Sequence, residues 1–579
     1  MNNLPINRRL VIFWTAAVIS LAAILLIYLN GISGGLFYDD ERPLGRLADI
    51  NSLFSFEAVD FVLGEISGPL GRSVAMLSFL PHYAGWPDNL SSILFVNVLI
   101  HCFNGLLVYI GTRQLLTLST GTPAQQPRDQ HQAIAGLAAL LWLILPIHAA
   151  TVLIAIQRMA ALSATFLLLG VIVYLKGLQL QARQHPRGLD VQILALVICL
   201  PLAVLTKENG ALLVLMLLII EVTVLRQKPE LQKFRAMRLA VLGLASLAIV
   251  AYLLKRFLNN PFETLFRRDF SAFERLITQP LILVDYLKQS FWPHWQAINP
   301  FQDHWRHVET WVLLSPEGLA LVAILAWLLL ALVVRHSWPW FAFASLWFFG
   351  SHLIESTTLG LELYFLHRNY VALVGLSILI AIMVCRAWSR QKGLTALAVV
   401  MYCGFLGINL AQVVVLWGQP DKAAVVWFET QPASGRAANY LAKPLWEQGQ
   451  IAPALEVIEK NLTACPECMN SRSWALVFAC KLGNNTAART HYAALLEWSV
   501  QRSDLSSAVN NIELYHVALN EGHCTPGEDY TAYALLEQLI ATRPIDANQH
   551  MMRHLWFKLG RLYMIDGDVE KGFELFHKQ

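Results

Sequence analysis

The sequence predicts an all-α, polytopic helical membrane protein that ends in a soluble helical domain. Three observations lead there. The chain has 579 residues, 56% hydrophobic and 14% charged, whereas an average soluble domain carries about 25% charged residues. The shortfall falls before residue 418, where apolar runs recur at roughly 17–25 residues, the length that crosses about 30 Å of hydrocarbon. After about residue 419 the composition turns soluble and amphipathic. Backbone amides in lipid have no water to bond, so the apolar runs must be helices. They lack the alternation of a membrane barrel. The chain thus divides into 1–418 and 419–579.

In order, the predicted spans are 10–30, 92–112, 132–148, 153–176, 189–205, 210–225, 238–257, 317–335, 338–354, 370–385 and 394–417, about 11 crossings. The first follows Arg8 and Arg9 and has no convincing small-residue cleavage site, so it reads as retained. The stretch 276–292 carries Asp285 and Lys288 and is expected at the membrane surface. Alternate turns are basic: Arg8–Arg9, Arg113 and Arg128, Lys176 with Arg183 and Arg187, Arg226 through Arg238, Arg335, and Arg386 with Arg390 and Lys392. The positive-inside rule then puts the N-terminus in the cytoplasm and the C-terminal domain outside. Compact loops favour a bacterial inner membrane, with that domain periplasmic. Two long outer loops result, 31–91 and 258–316, and long loops often carry function. A net charge of +3 without a basic stripe gives no reason to expect a nucleic-acid partner.

In the C-terminal domain, "YLAKPLWEQGQIAPALEVIEKNL" and "LWFKLGRLYMIDGDVEKGFELFHK" read as helix–turn–helix repeats of the tetratricopeptide (TPR) type. A plain helical domain is the alternative. Solenoid repeats need neighbours to bury their faces, so so short an array packs on itself and on the membrane domain. Cys102, Cys199, Cys385 and Cys403 belong to the spans; Cys465, Cys468, Cys480 and Cys524 lie outside. An oxidising compartment favours disulfides for the outer four. Cys465-Pro-Glu-Cys468 is open to three readings: a local disulfide, two half-bridges, or two zinc ligands. The spacing to Cys480 and Cys524 fits no zinc ribbon.

Chemistry-bearing residues cluster at the outer ends of the spans. Asp39 and Asp40 follow the first. A carboxylate at the rim of a dry cleft suits a general base, although both could equally cap a helix. Gly68-Pro-Leu-Gly-Arg72 follows, then Asn97, His101 and Asn104 on one face of the second span, where interhelical hydrogen bonds are the expected role. His148 and Gln157-Arg158 flank the next outer turn, Lys207-Glu208 the one after it. Glu355, Glu362, Tyr364, His367 and Arg368 occupy the last, beside His352 and Ser356. The cations can form structural ion pairs with the glutamates or hold a phosphate. Several clusters converging on one face with a carboxylate pair suggest a site.

The segments "FYDDERPL", "GRSVAMLSFLPHYAGWPDNLSSILFVNVLIH", "LLWLILPIHAATV…QRMAAL", "LAVLTKENGALL" and "HLIESTTLGLELYFLHRNY" occur in an order that resembles the GT-C superfamily of membrane glycosyltransferases. The likeness is to transmembrane and TPR-containing O-mannosyltransferases and to bacterial pilin glycosyltransferases, over roughly residues 10–420. It implies a polyprenyl-phosphate-linked sugar donor, and a single displacement by an acceptor hydroxyl would then invert the anomeric carbon. It also implies an acidic base after the first span: Asp39 or Asp40, with Asp40 favoured. Arg72, Arg158, Lys207, His367 and Arg368 are then donor-phosphate ligands, supported by Glu208, Glu355, Glu362, Tyr364 and His148. Asp39 orients the acceptor, or binds a divalent metal with Asp40; with no clear third ligand, no metal is assigned. The acceptor is a hydroxyl, on Ser or Thr of a periplasmic protein such as a pilin or on an envelope glycan. Ile156-Gln-Arg-Met159 stands where the mannosyltransferases carry Gly-Arg-Ala-Asp, which leaves the sugar open, and the short repeat region leaves the acceptor open. Removing 420–579 is expected to harm acceptor choice more than donor cleavage. The rivals are an oligosaccharide ligase or polymerase using a lipid-diphosphate donor, a transporter, and a scaffold. Charges gathered at one face, with no inverted repeat, argue against a transporter.

Overall fold

The computed structural model describes residues 6–64, 71–120, 128–265, 268–499, 505–542 and 549–577. Gly68 and Arg267 lie outside them. The described chain is all-helical, 77% helix with no strand. Among the described residues, eight helices are long and apolar enough to cross a membrane: Val11–Leu29, Leu90–Thr120, Ala155–Ala182, Gly188–Thr206, Arg235–Asn259, Pro316–Val333, Leu366–Trp388 and Lys392–Trp417. Their outward faces are apolar yet uncovered, as Val18 (64% exposed), Leu244 (68%) and Val400 (67%) illustrate. That pattern suits lipid as solvent rather than water.

Three of the 11 predicted spans are not single long helices. The run 132–148 is bent by 55° between Asp129–Leu143 and Pro146–Val152 and makes a ninth crossing if counted as one span. Pro146 has no N–H to continue the ladder, which accounts for the break. The run 210–225 opens as a tight 3-10 turn, Glu208–Leu212, and its α-helix covers only Leu213–Val222. The run 338–354 contains the 13-residue helix Pro339–Ser351. The stretch 276–292 forms Ala272–Phe291, started by a capping box in which the Ser271 hydroxyl accepts from Glu274 N–H while Glu274 accepts from Ser271 N–H.

The ends of the first and last apolar helices meet. Ser33 Oγ donates to the Gly418 carbonyl at 2.9 Å. Phe37 packs on Trp417, Trp427 and Tyr440 at ring separations of 5.3, 5.9 and 5.8 Å. A Cβ on Gly418 would sit 1.9 Å from the Asn30 carbonyl oxygen, so only glycine permits this approach. At another point of the bundle Glu221 and Arg238 form a buried pair at 2.7 Å, joined by Tyr174 and Gln181. Every charge there is met, as burial requires.

Beyond residue 418 short helices follow one another and pack on their neighbours, among them Gly435–Glu447, Ile451–Ala464, Met469–Lys481 and Asn485–Ser499. Two disulfides form, Cys465–Cys468 and Cys480–Cys524. This pairing removes the zinc-ligand and half-bridge readings of Cys465 and Cys468.

Candidate functional site

A cavity of about 2340 Å³ lies between the apolar helices and the C-terminal helices. Small-molecule sites usually measure about 300–1,000 Å³, so this space can hold more than one reactant. Asp39, Arg72, Lys207, Arg268, Glu355, Glu362, His367, Arg368 and Arg436 line it. The convergence expected from sequence is therefore present for most of the residues named, but not for all.

Lys207 reaches the cavity because the chain turns there: Thr206 ends one helix, Lys207 is extended at φ −159°, and the 3-10 turn follows. A Cβ on Gly210 would collide with the Ala203 backbone at 2.2 Å, so glycine at that position allows the tight reversal. Lys207 Nζ pairs with Glu355 at 2.8 Å, and both are over nine-tenths buried. Burial pushes the Glu355 carboxyl up, but the Lys207 and Arg368 charges outweigh it and hold the group well below the usual range. Glu362 is gripped by Arg436 at 2.6 Å and Arg268 at 2.9 Å. Against the upward push of burial, these two cations keep it at about 2. Arg72 bonds Glu208 at 3.3 and 3.1 Å from a left-handed backbone, φ +51°, which few non-glycine residues adopt. Arg368 spends Nη1 and Nη2 on the Leu363 and Glu362 carbonyls and faces the cavity beside His367.

The two adjacent aspartates do different things. Asp40 is fully buried and does not line the cavity. Its Oδ2 accepts from Phe37 N–H at 2.9 Å and its Oδ1 from Ile156 N–H at 2.7 Å. Burial raises its carboxyl to about 7, against the pull of those bonds. It caps the helix Tyr38–Gly45 and ties that helix to the Ile156–Met159 segment. Asp39 opens onto the cavity. Burial raises its carboxyl; Arg436, Arg268 and Lys207 pull it down, and Glu362 pushes it further up. Of the two, Asp39 and not Asp40 is placed to meet a molecule in the cavity.

Arg158 also departs from expectation. It is wholly buried, bonding Asn97 Oδ1 at 2.7 Å, the Ser78 carbonyl at 2.7 Å and the Ile93 carbonyl at 2.8 Å, with Phe79 under its guanidinium. It holds the bundle together and does not reach the cavity. His148 is buried among Trp142, His101 and Tyr370, away from the cavity wall. Tyr364 donates to Asp285 at 2.7 Å and stacks on Trp305, supporting the wall from behind. Asn97, His101 and Asn104 make the interhelical bonds expected of them, to Ile154, Tyr370 and Ala161.

Sequence reasoning missed Arg436 and Arg275. Arg436 belongs to the C-terminal helices, and only folding brings it to Glu362. Arg275 is buried and bonds the carbonyls of Glu355 (2.6 Å), Thr357 (2.9 Å), Leu361 and Glu362 (2.9 Å). It shapes the loop that presents Glu355 and Glu362. It shares its buried helix face with Thr278, Gln279, Ile282, Tyr286 and Gln289, a mixed pattern that does not single it out in the sequence. Among the described residues no group of three or more His, Cys, Asp or Glu side chains is arranged to hold a metal ion. The chain matches no known protein family, no curated protein and no solved structure.

Proposed function

We propose that this protein is a membrane glycosyltransferase of the GT-C kind, moving a sugar from a polyprenyl-phosphate donor to a hydroxyl acceptor. The observation that carries the reading is Asp39 sharing one large cavity with Lys207, Arg72, Arg268 and Arg368. The donor lipid lies in the bilayer, and its phosphate enters among these cations. They stabilise the charge that develops as the phosphate leaves. Asp39 takes the proton from the acceptor hydroxyl, which attacks the anomeric carbon from the opposite side and inverts it. A Ser or Thr hydroxyl of an envelope protein is the acceptor we favour, since the volume exceeds what a lipid-linked sugar alone requires.

The same reading has 11 crossings, a cytoplasmic N-terminus in a bacterial inner membrane and a periplasmic, TPR-like C-terminal domain. Odd parity is supported by the contact of Ser33 with Gly418, which brings the ends of the first and last spans to one face. In this reading Leu213–Val222 and Pro339–Ser351 each traverse, which keeps Lys207 and Glu355 on the one face where they meet. The 3-10 turn adds about 10 Å to the roughly 15 Å of the shorter helix, which comes close to the hydrocarbon thickness.

The test is transfer by the full chain in proteoliposomes, supplied with polyprenyl-phosphate sugars and with envelope proteins from cells lacking the chain, read by intact-protein mass spectrometry. A single-sugar increment that disappears in Asp39→Asn is expected. Undiminished transfer by that variant would discard the base assignment, and no increment with any donor would discard the transferase.

A further inference from the structure

The two disulfides sit in different surroundings. Cys480–Cys524 is buried and joins residues 44 apart. Cys465–Cys468 spans only Pro466 and Glu467, and both its cysteines line the large cavity. Loop-closure entropy grows with loop length, so the long bridge staples the fold while the short one restricts the unfolded chain far less. The short bridge therefore calls for another role, and its neighbours suggest one.

Its two sulfurs are unequal. Cys465 is 2% exposed, whereas Cys468 is only partly buried. Arg306, from the outer loop of the membrane half, brings Nη2 to 3.4 Å from Cys465 Sγ. Its Nη1 pairs with Glu467, which shares its charge. Cys468 precedes the 13-residue helix Met469–Lys481 and so stands at its positive end. A cation beside one sulfur and a helix N-terminus beside the other both favour negative charge on sulfur, the condition for ready exchange.

We propose that Cys465–Cys468 is a thiol–disulfide exchange site for a polypeptide thiol that enters the cavity. An incoming thiolate attacks Cys468 Sγ, the accessible sulfur. The Cys465–Cys468 bond breaks, a bond forms between Cys468 and the incoming sulfur, and the electron pair leaves on Cys465 Sγ beside Arg306. In the reverse step the Cys465 thiolate attacks Cys468 Sγ and expels the guest as its thiolate. The cycle has no net oxidation and needs no further reactant. It serves as a reversible covalent tether at the cavity wall, and it does not depend on the sugar-transfer reading.

The full chain in nanodiscs, equilibrated in glutathione buffers of graded GSH:GSSG ratio, quenched in acid and alkylated, tests this by peptide mass mapping. Cys465–Cys468 is expected to open at a ratio at least tenfold less reducing than Cys480–Cys524 requires, with glutathione found on Cys468 and not on Cys465. Arg306→Gln should slow glutathione exchange about tenfold, Arg306→Lys should retain most of the rate, and Glu467→Gln should speed it. Both bridges opening together, glutathione on Cys465, or an Arg306→Gln rate equal to wild type would each overturn the proposal. The first two readouts use the unaltered protein, so a folding defect in a variant does not shelter it.

Discussion

Asp39 and Asp40 are neighbours in sequence, yet consecutive residues on a helix point about 100° apart, so one faces the cavity and the other the backbone. Asp39→Asn is expected to abolish transfer with little change in thermal stability. In Asp40→Asn an amide NH₂ would oppose one of two backbone N–H donors. We expect a loss of about 1–3 kcal/mol, read as a lower denaturation midpoint. A base must be unprotonated to work, and the Asp39 carboxyl lies above its ordinary value. The rate should therefore fall, as pH drops, at a higher pH than an ordinary carboxylate would set. Arg436 is the foremost of the charges that pull this group down, so Arg436→Gln should move that acid limb upward in a proteoliposome pH profile. Lys207→Met should destabilise, by less than the roughly 3–5 kcal/mol of a fully uncompensated buried charge, because Glu355 loses its 2.8 Å partner but keeps the Arg368 charge nearby. Adding Glu355→Leu should restore stability but not donor use; if activity returned as well, Lys207 would be only a structural cation. That charges gather after the first, fifth and ninth predicted spans was legible in the sequence. Which ones are free to meet a ligand was not, because residue type does not reveal that Arg158 spends its donors on Asn97, Ser78 and Ile93.

At the scale of elements, the segment from Glu355 to Leu363 has no regular structure of its own, and buried side chains set its shape. Arg275 binds four of its carbonyls, Arg368 two and Gln279 one. Hydrogen bonds from a charged donor contribute about 1.5–3 kcal/mol each, and together these fix where Glu355 and Glu362 stand. Arg275→Ala should therefore raise amide exchange over 355–363 by at least tenfold and reduce transfer while the helix Ala272–Phe291 stays protected. Unchanged exchange in that loop would show that Arg275 does not position it. Eight of the predicted spans were legible because an 18-residue apolar run leaves the backbone no alternative to a helix. The other three were misjudged in length because apolar composition does not reveal the break at Pro146, the tight turn at Gly210 or the end of the helix at Ser351.

For the molecule as a whole, the C-terminal helices are part of the cavity rather than an appendage. Arg436 bonds Glu362 across the junction, and its N–H bonds Asp303. Ser434 also bonds Asp303, and Trp427 and Tyr440 pack on Phe37 two residues before Asp39. This changes the expectation for truncation. A chain ending at residue 418 would expose Phe37 and Trp417, leave Glu362 with one cation fewer and remove one wall of the space Asp39 faces. Loss of all transfer is expected, donor hydrolysis included, rather than altered acceptor choice alone. The comparison is between the truncated chain and a full-length chain carrying Arg436→Gln, both assayed for release of free sugar from donor without acceptor. If the truncated chain releases sugar at the full-length rate, the donor pocket is complete without these helices and their role is confined to the acceptor. If both variants lose release in proportion to the widening of the cavity, the charge pair at Glu362 is what makes two regions of different composition act as one site.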